Sequence, residues 1–144
     1  MNILFFLKPK HEVAVVYDDY TLRQVLETME YHRYATIPVL HRDGRFVGCL
    51  SEGDLLWHIK EMNNLNLREA EKIPISQVRR NRDYESVRVT EKIENLINKA
   101  TSQNFVPVVD DQDYFIGIVT RSDIISYCYE QLKACGLEGR TSHD

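Results

Sequence analysis

Ile37-Pro38-Val39-Leu40-His41-Arg42-Asp43-Gly44-Arg45-Phe46-Val47-Gly48-Cys49-Leu50-Ser51-Glu52-Gly53-Asp54 decides the fold, because the chain repeats its plan once more. The second copy is Val106-Pro107-Val108-Val109-Asp110-Asp111-Gln112-Asp113-Tyr114-Phe115-Ile116-Gly117-Ile118-Val119-Thr120-Arg121-Ser122-Asp123. Pro38 and Pro107, Gly48 and Gly117, Ser51 and Thr120, and Asp54 and Asp123 all stand 69 residues apart. Four landmarks at one offset mark an internal duplication. A chain of 144 residues is the size of one ordinary domain, so the two halves are expected to share one core. The repeats are placed at 1–71 and 72–137, with a small, polar tail at 138–144 expected to fray.

Working outward, each copy reads as a strand ending in Pro-Val-hydrophobic, a turn, a return strand and a helix. Thr36 to Leu40 and Phe46 to Leu50 form one hairpin, closed by Asp43-Gly44. The second turn, Asp110 to Asp113, has equal length but no glycine. Ser51 starts a helix with apolar positions Leu55, Leu56, Ile59 and Met62, and Ile124, Ile125, Cys128 and Leu132 form the matching stripe after Thr120. Upstream of the first hairpin, Val13 to Val16 reads as a strand. Asp18 to Thr21 supplies cap chemistry for a helix carrying Leu22, Val25, Leu26 and Met29. Ser86 to Thr90 and the stripe Ile93, Leu96, Ile97 and Ala100 repeat that arrangement without keeping the offset. Asn63 to Glu69 reads as a connector, Ile73-Pro74-Ile75-Ser76 as the entry to the second half, and Gly136 as a helix C-cap. Each half is therefore strand, helix, strand, strand, helix.

The composition, 43% hydrophobic and 28% charged, suits a soluble globular protein. A net charge of −4 argues against a general nucleic-acid surface, while leaving room for a local basic patch on phosphate. The apolar run Ile3 to Leu7 is too short, and its positive charge follows rather than precedes it, for a signal peptide. No run approaches a membrane span. Cys49, Cys128 and Cys135 are an odd set without ligand spacing, which fits reduced thiols in a cytoplasmic protein.

The hydrophobic-Pro-Val-hydrophobic phrase, running through an acidic turn to Gly-hydrophobic-hydrophobic-Ser/Thr-x-x-Asp, resembles the cystathionine-beta-synthase (CBS) domain, which commonly occurs as tandem pairs. The resemblance implies a mixed α/β fold: a stand-alone module of two pseudo-two-fold-related β-α-β-β-α repeats. Two small three-stranded sheets would pack against four main helices and enclose two clefts. It also implies an adenine-nucleotide sensor, not an enzyme, that dimerises through its helices. In nucleotide-binding members the Asp takes the ribose, and Asp54 and Asp123 match that position.

The residue types themselves suit such a ligand. A strand passing directly into a helix leaves unpaired N–H groups that attract anions. A carboxylate accepts from vicinal ribose hydroxyls, and Ser51 or Thr120 can donate to a phosphate or sugar oxygen. Ser/Thr-x-x-Asp is equally a capping box, and the two roles are compatible. Tyr34, Ala35, Ile37 and Pro38, with Asn104, Phe105, Val106 and Pro107, would flank the adenine, Tyr34 and Phe105 by stacking and Ile37 and Val106 chiefly as core. Arg121 can reach a phosphate where the first half has Glu52, which predicts unequal clefts, the second tolerating more phosphate charge. Arg79-Arg80-Asn81-Arg82 reads first as a solvated connector and second as a phosphate contact. His32-Arg33 is a weaker candidate of that kind.

The expected function is regulatory: binding of AMP, ADP, ATP or cyclic di-AMP alters affinity for an unidentified protein partner, with no cofactor required. A ligand-independent dimeric interaction scaffold is the alternative. The five histidines show no paired metal spacing, and no Gly-x-Ser-x-Gly elbow or phosphate-binding Gly-x-x-x-x-Gly-Lys loop occurs, so catalysis has little support.

Overall fold

Thr21 sets the first helix. Its hydroxyl accepts from Gln24 N at 3.3 Å, and Gln24 Oε1 accepts from Thr21 N at 2.8 Å, a reciprocal capping box. Helix α1 (Leu22–His32) buries Leu22, Val25 and Met29 and stops at Arg33, whose left-handed φ of 58° turns the chain toward Tyr34. The computed structural model describes residues 2–62, 66–80 and 83–137. Preceding α1 are β1 (Lys8–Pro9) and β2 (Val16–Tyr17); following it are β3 (Thr36–Leu40), β4 (Phe46–Ser51), α2 (Glu52–Glu61) and the short α3 (Leu67–Ala70). The second half supplies β5 (Val87–Arg88), α4 (Ile93–Ala100), β6 (Phe105–Val109), β7 (Phe115–Thr120) and α5 (Arg121–Leu132). Among the described residues, no helix is long and apolar enough to cross a membrane.

The strands form two small sheets, one ordered β2-β3-β4 and the other β1-β7-β6-β5. In each, a two-residue strand runs parallel to the Pro-Val strand, which pairs antiparallel with the return strand. The second sheet has four strands rather than the expected three because Lys8–Pro9 adds to its β7 edge. Gly117 permits that approach: a Cβ there would lie 2.2 Å from Lys8 O. Leu7 carries the strand back into the second core, where Ile3 and Phe6 are buried. Ile73 and Ile75, expected to open the second half, pack instead in the first half's core beside Leu22 and Val25. Backbone bonds from Leu22 N to Ile73 O (2.7 Å) and Ile75 N to Tyr20 O (3.0 Å) hold them there.

The interior forms three clusters: a main one in each half, and a smaller one in which Val13 and Leu40 of the first half pack with Phe115 and Ile118 of the second. Two hairpin ends meet at the pseudo-two-fold. Phe46 N donates to Asp113 O at 2.9 Å and Phe115 N to Gly44 O at 3.0 Å, while the Phe46 and Phe115 rings stack 6.1 Å apart. All four residues keep the 69-residue offset. Gly44 (φ 100°) and Asp113 (φ 67°) occupy the same left-handed turn position. Asp110 Oδ1 supports the glycine-free turn by accepting from Gln112 N and Tyr114 N, each at 2.9 Å.

Several local expectations are corrected. α4 is N-capped by Lys92 without a side-chain bond, so Thr90 does not cap it. Gly136 lies inside a π-helical segment, Lys133–Leu137, rather than ending a helix. Leu67–Ala70 is helical within the expected connector, whose residues 63–65 lie outside the described residues, as do Asn81, Arg82 and the 138–144 tail. Leu56, Ile125 and Leu132 are each about 60% exposed because no described element covers those helix faces; α2 and α5 anchor through Leu55 and Ile124.

Candidate functional site: two clefts of unequal chemistry

Two clefts open between the repeats, and each takes its hydroxyl from one half and its flanking loop from the other. The first, about 260 Å³, is built on Thr120. The opposite wall comes from the end of α1 and the start of β3, with Arg33, Tyr34, Ala35, Thr36 and Pro38. Asn104, Phe105 and Ile118 line the near side, and Lys8 and Val13 close the edge. The second, about 700 Å³, is built on Ser51 and lined by Thr36, Asp83, Tyr84, Glu85, Asn98, Lys99, Ser102 and Gln103. Thr36 lines both.

Of the residues singled out from sequence, Tyr34, Ala35, Pro38, Asn104, Phe105 and Thr120 therefore converge on one cleft, and Ser51 lies in the other. Ile37 and Val106 are fully buried core residues, and Pro107, also buried, lines neither cleft. Tyr34 is steadied by a 3.5 Å bond from Ala14 N to its hydroxyl, and Phe105 by an edge contact 4.9 Å from Tyr84. Arg121 is not brought into either cleft. Its Nε donates to Ala100 O at 2.7 Å, tying the start of α5 to the end of α4. The anticipated difference in phosphate charge therefore draws no support from Arg121. Lys8, Val13 and Ile118 went unrecognised, although a glycine inside a strand at 117 was a signal of close backbone approach.

The two helix starts are not alike. Ser51 Oγ accepts from Asp54 N and Asp54 Oδ2 from Ser51 N, both at 3.1 Å, and the Asp54 carboxylate is buried at 4% exposure. Thr120 Oγ1 accepts from Asp123 N at 3.1 Å, but Asp123 is exposed and its carboxylate receives no hydrogen bond among the described residues. Both motifs cap helices, as the capping reading requires. Asp123 additionally presents an open acceptor.

Around the Ser51 cleft the polar groups are engaged with one another. Asp83 Oδ1 accepts from Cys49 N at 2.7 Å and its Oδ2 from Arg80 Nε at 2.6 Å, so Arg80 belongs to an ion pair. Lys99 Nζ lies 3.1 Å from Glu85 Oε2. Gln103, 6% exposed, accepts from Glu85 N and donates to Glu85 O and Phe105 O, which satisfies its amide completely within the wall. Cys49, beneath Asp83, has its thiol pushed well above its ordinary pKa, by burial first and by the Asp83 carboxylate second.

Comparison with known proteins agrees with this architecture. The model of the CBS domain matches residues 7–61 and again 75–130. An uncharacterized protein of Methanocaldococcus jannaschii, MJ1426, is 32% identical over 139 residues, with 77% of this chain and 83% of the relative covered. CbpB of Listeria monocytogenes, solved with c-di-AMP, superposes with a TM-score of 0.80 at 21% identity over 92% of this chain and 98% of its own. CBSX2, solved with AMP, gives a TM-score of 0.69 at 22% identity over 90% and 96%. The duplicated phrase, the paired sheets and these matches show that the chain belongs to the CBS-domain family, as a tandem pair.

Proposed function

We propose that the chain is a regulatory module that binds an adenine nucleotide and, through that binding, modulates a protein partner. The observation that carries this reading is the convergence of adenine-, ribose- and phosphate-suited groups around Thr120. Val13, Pro38, Phe105 and Ile118 offer apolar faces to a base. Lys8 and Arg33 offer cations that are not ion-paired among the described residues. Asp123 does not line the cleft, but its N–H is bonded to Thr120 Oγ1 and its exposed carboxylate stands at the same helix start, next to the cleft, as an acceptor for ribose hydroxyls. The bound states of CbpB and CBSX2, with c-di-AMP and AMP, support the same class of ligand. The proposal assigns binding, with no catalytic step. Isothermal titration with AMP, ADP, ATP and cyclic di-AMP tests it: saturable binding of at least one is expected, and no binding of any at millimolar concentration overturns it.

A second reading, a dimeric scaffold indifferent to nucleotide, is favoured by the outward Leu56 and Trp57 of α2 and Ile125, Tyr129 and Leu132 of α5. It expects self-association that neither nucleotide nor Asp123→Ala alters. The nucleotide reading expects Asp123→Ala to weaken ligand binding while the fold is retained.

A further inference from the structure

The 69-residue offset maps the walls of the two clefts onto each other. Arg33, Tyr34, Phe105 and Thr120 of one correspond to Ser102, Gln103, Thr36 and Ser51 of the other. Along that mapping a cation becomes a hydroxyl, and both ring-bearing residues become polar and non-aromatic. Of these replacements, Gln103 is not open to a ligand: its amide is bonded to Glu85 and Phe105 backbone. The edge strand at Lys8, which brings an ammonium to the Thr120 cleft, has no counterpart on β4 among the described residues. There Asp83 reaches in instead, with its carboxylate on Cys49 N and within 2.4 Å of where a Cβ on Gly48 would stand.

We propose that the Thr120 cleft alone takes the nucleotide, and that Asp83, Glu85 and Gln103 make the Ser51 cleft selective against phosphate-bearing ligands. This inference rests on the nucleotide reading above and names which of two related clefts carries it. The reasoning is electrostatic and steric together. A phosphate entering beside Ser51 meets two carboxylates, each already ion-paired, Asp83 with Arg80 and Glu85 with Lys99, so that among the described residues no lining cation is left to receive it. A phosphate beside Thr120 meets Lys8 and Arg33, and an adenine there meets Tyr34 and Phe105. The larger volume of the Ser51 cleft therefore does not make it the better nucleotide site.

The test is isothermal titration of the full chain with AMP and, separately, cyclic di-AMP, on wild type, the Lys8→Gln/Arg33→Gln double variant and Lys99→Gln. Circular dichroism melts confirm that each variant folds; all three changes are at side chains outside the buried cores. Expected are no more than one ligand per chain, at least a tenfold loss in the double variant, and a change of less than twofold in Lys99→Gln. More than one ligand per chain, a double variant within twofold of wild type, or a tenfold loss in Lys99→Gln overturns the inference while leaving the nucleotide reading standing. Absence of binding by AMP, ADP, ATP and cyclic di-AMP alike, confirmed by equilibrium dialysis, overturns that reading and the inference with it.

Discussion

Gly117→Ala is the substitution that most directly probes how the repeats are locked together. A Cβ at this position lies 2.2 Å from Lys8 O, 2.8 Å from Leu7 Cδ1 and 3.1 Å from Lys8 C, so backbone on one strand collides with a side chain on the next. Since the nearest atom is a carbonyl oxygen in a paired strand, rotation of a side chain cannot relieve the contact; β1 must move off β7. Overpacking of this kind costs about 1–3 kcal/mol. At roughly 2–4 °C per kcal/mol for a chain near this size, the melting temperature should fall by about 2–12 °C. Because β1 carries Lys8 into the Thr120 cleft, nucleotide affinity should fall too. Gly53→Ala is the control: its nearest neighbour is Ser51 Oγ at an ordinary 3.6 Å, and alanine in the first turn of α2 should stabilise by about 0.4–1 kcal/mol. Differential scanning calorimetry measures both. An unchanged melting temperature in Gly117→Ala would show that β1 is not held at this edge and would refute the reasoning.

Asp54→Ala should lower stability by about 0.5–2 kcal/mol through loss of a buried capping box, whereas Asp123→Ala should leave the melt unchanged and weaken nucleotide binding; urea titration and calorimetry separate the two. Arg121→Ala should cost about 1 kcal/mol by freeing Ala100 O, with nucleotide affinity within twofold of wild type, which a paired denaturation and binding measurement checks. Cys49 should react with a thiol reagent only on unfolding, while the exposed Cys128 and Cys135 react in the native protein. The folded Cys49 thiol ionises at higher pH than the unfolded one, so its contribution to stability is complete below about pH 8.5 and is lost as pH rises through the folded value. Wild type should therefore lose more stability than Cys49→Ala between pH 8 and pH 10, measured by urea titration.

What the sequence made legible was whatever is encoded by local chemistry repeated at a fixed distance. Pro38 and Pro107, Gly48 and Gly117, and the two hydroxyl-capped helix starts all lie where the repeat puts them, and β3 spans Thr36–Leu40 as the apolar run requires. What it concealed depends on long-range contact. Lys8 belongs to the second sheet and Ile73 to the first core, because each linking segment crosses to the opposite half, and no local pattern records a crossing. Arg121 illustrates the same limit on a smaller scale. Its place at a helix start suggested an anion, yet the nearer acceptor is a carbonyl at the end of α4 that only the packed structure brings within 2.7 Å. Periodicity marks the apolar stripe of α5 but does not say what covers it: Ile124 is buried, whereas Ile125 and Leu132 of the same stripe stay exposed.

The two Ser/Thr-x-x-Asp helix starts differ both in burial and in whether the carboxylate closes the capping box. A hydroxyl has one donor and two acceptor lone pairs, so Thr120 Oγ1 can accept from Asp123 N and still donate to a ligand oxygen. The same holds for Ser51. The carboxylates are what differ: Asp54 is folded under its own helix start, whereas Asp123 stands outside it. A ligand in the Thr120 cleft would also touch both repeats at once, through Tyr34 and Pro38 on one side and Phe105 and Thr120 on the other. Its affinity must then depend on how the two halves sit relative to each other, and by reciprocity its binding must favour one relative placement. Thr120 is the N-cap of α5, so under the proposed function that preference would act at the base of the helix bearing the outward Ile125, Tyr129 and Leu132.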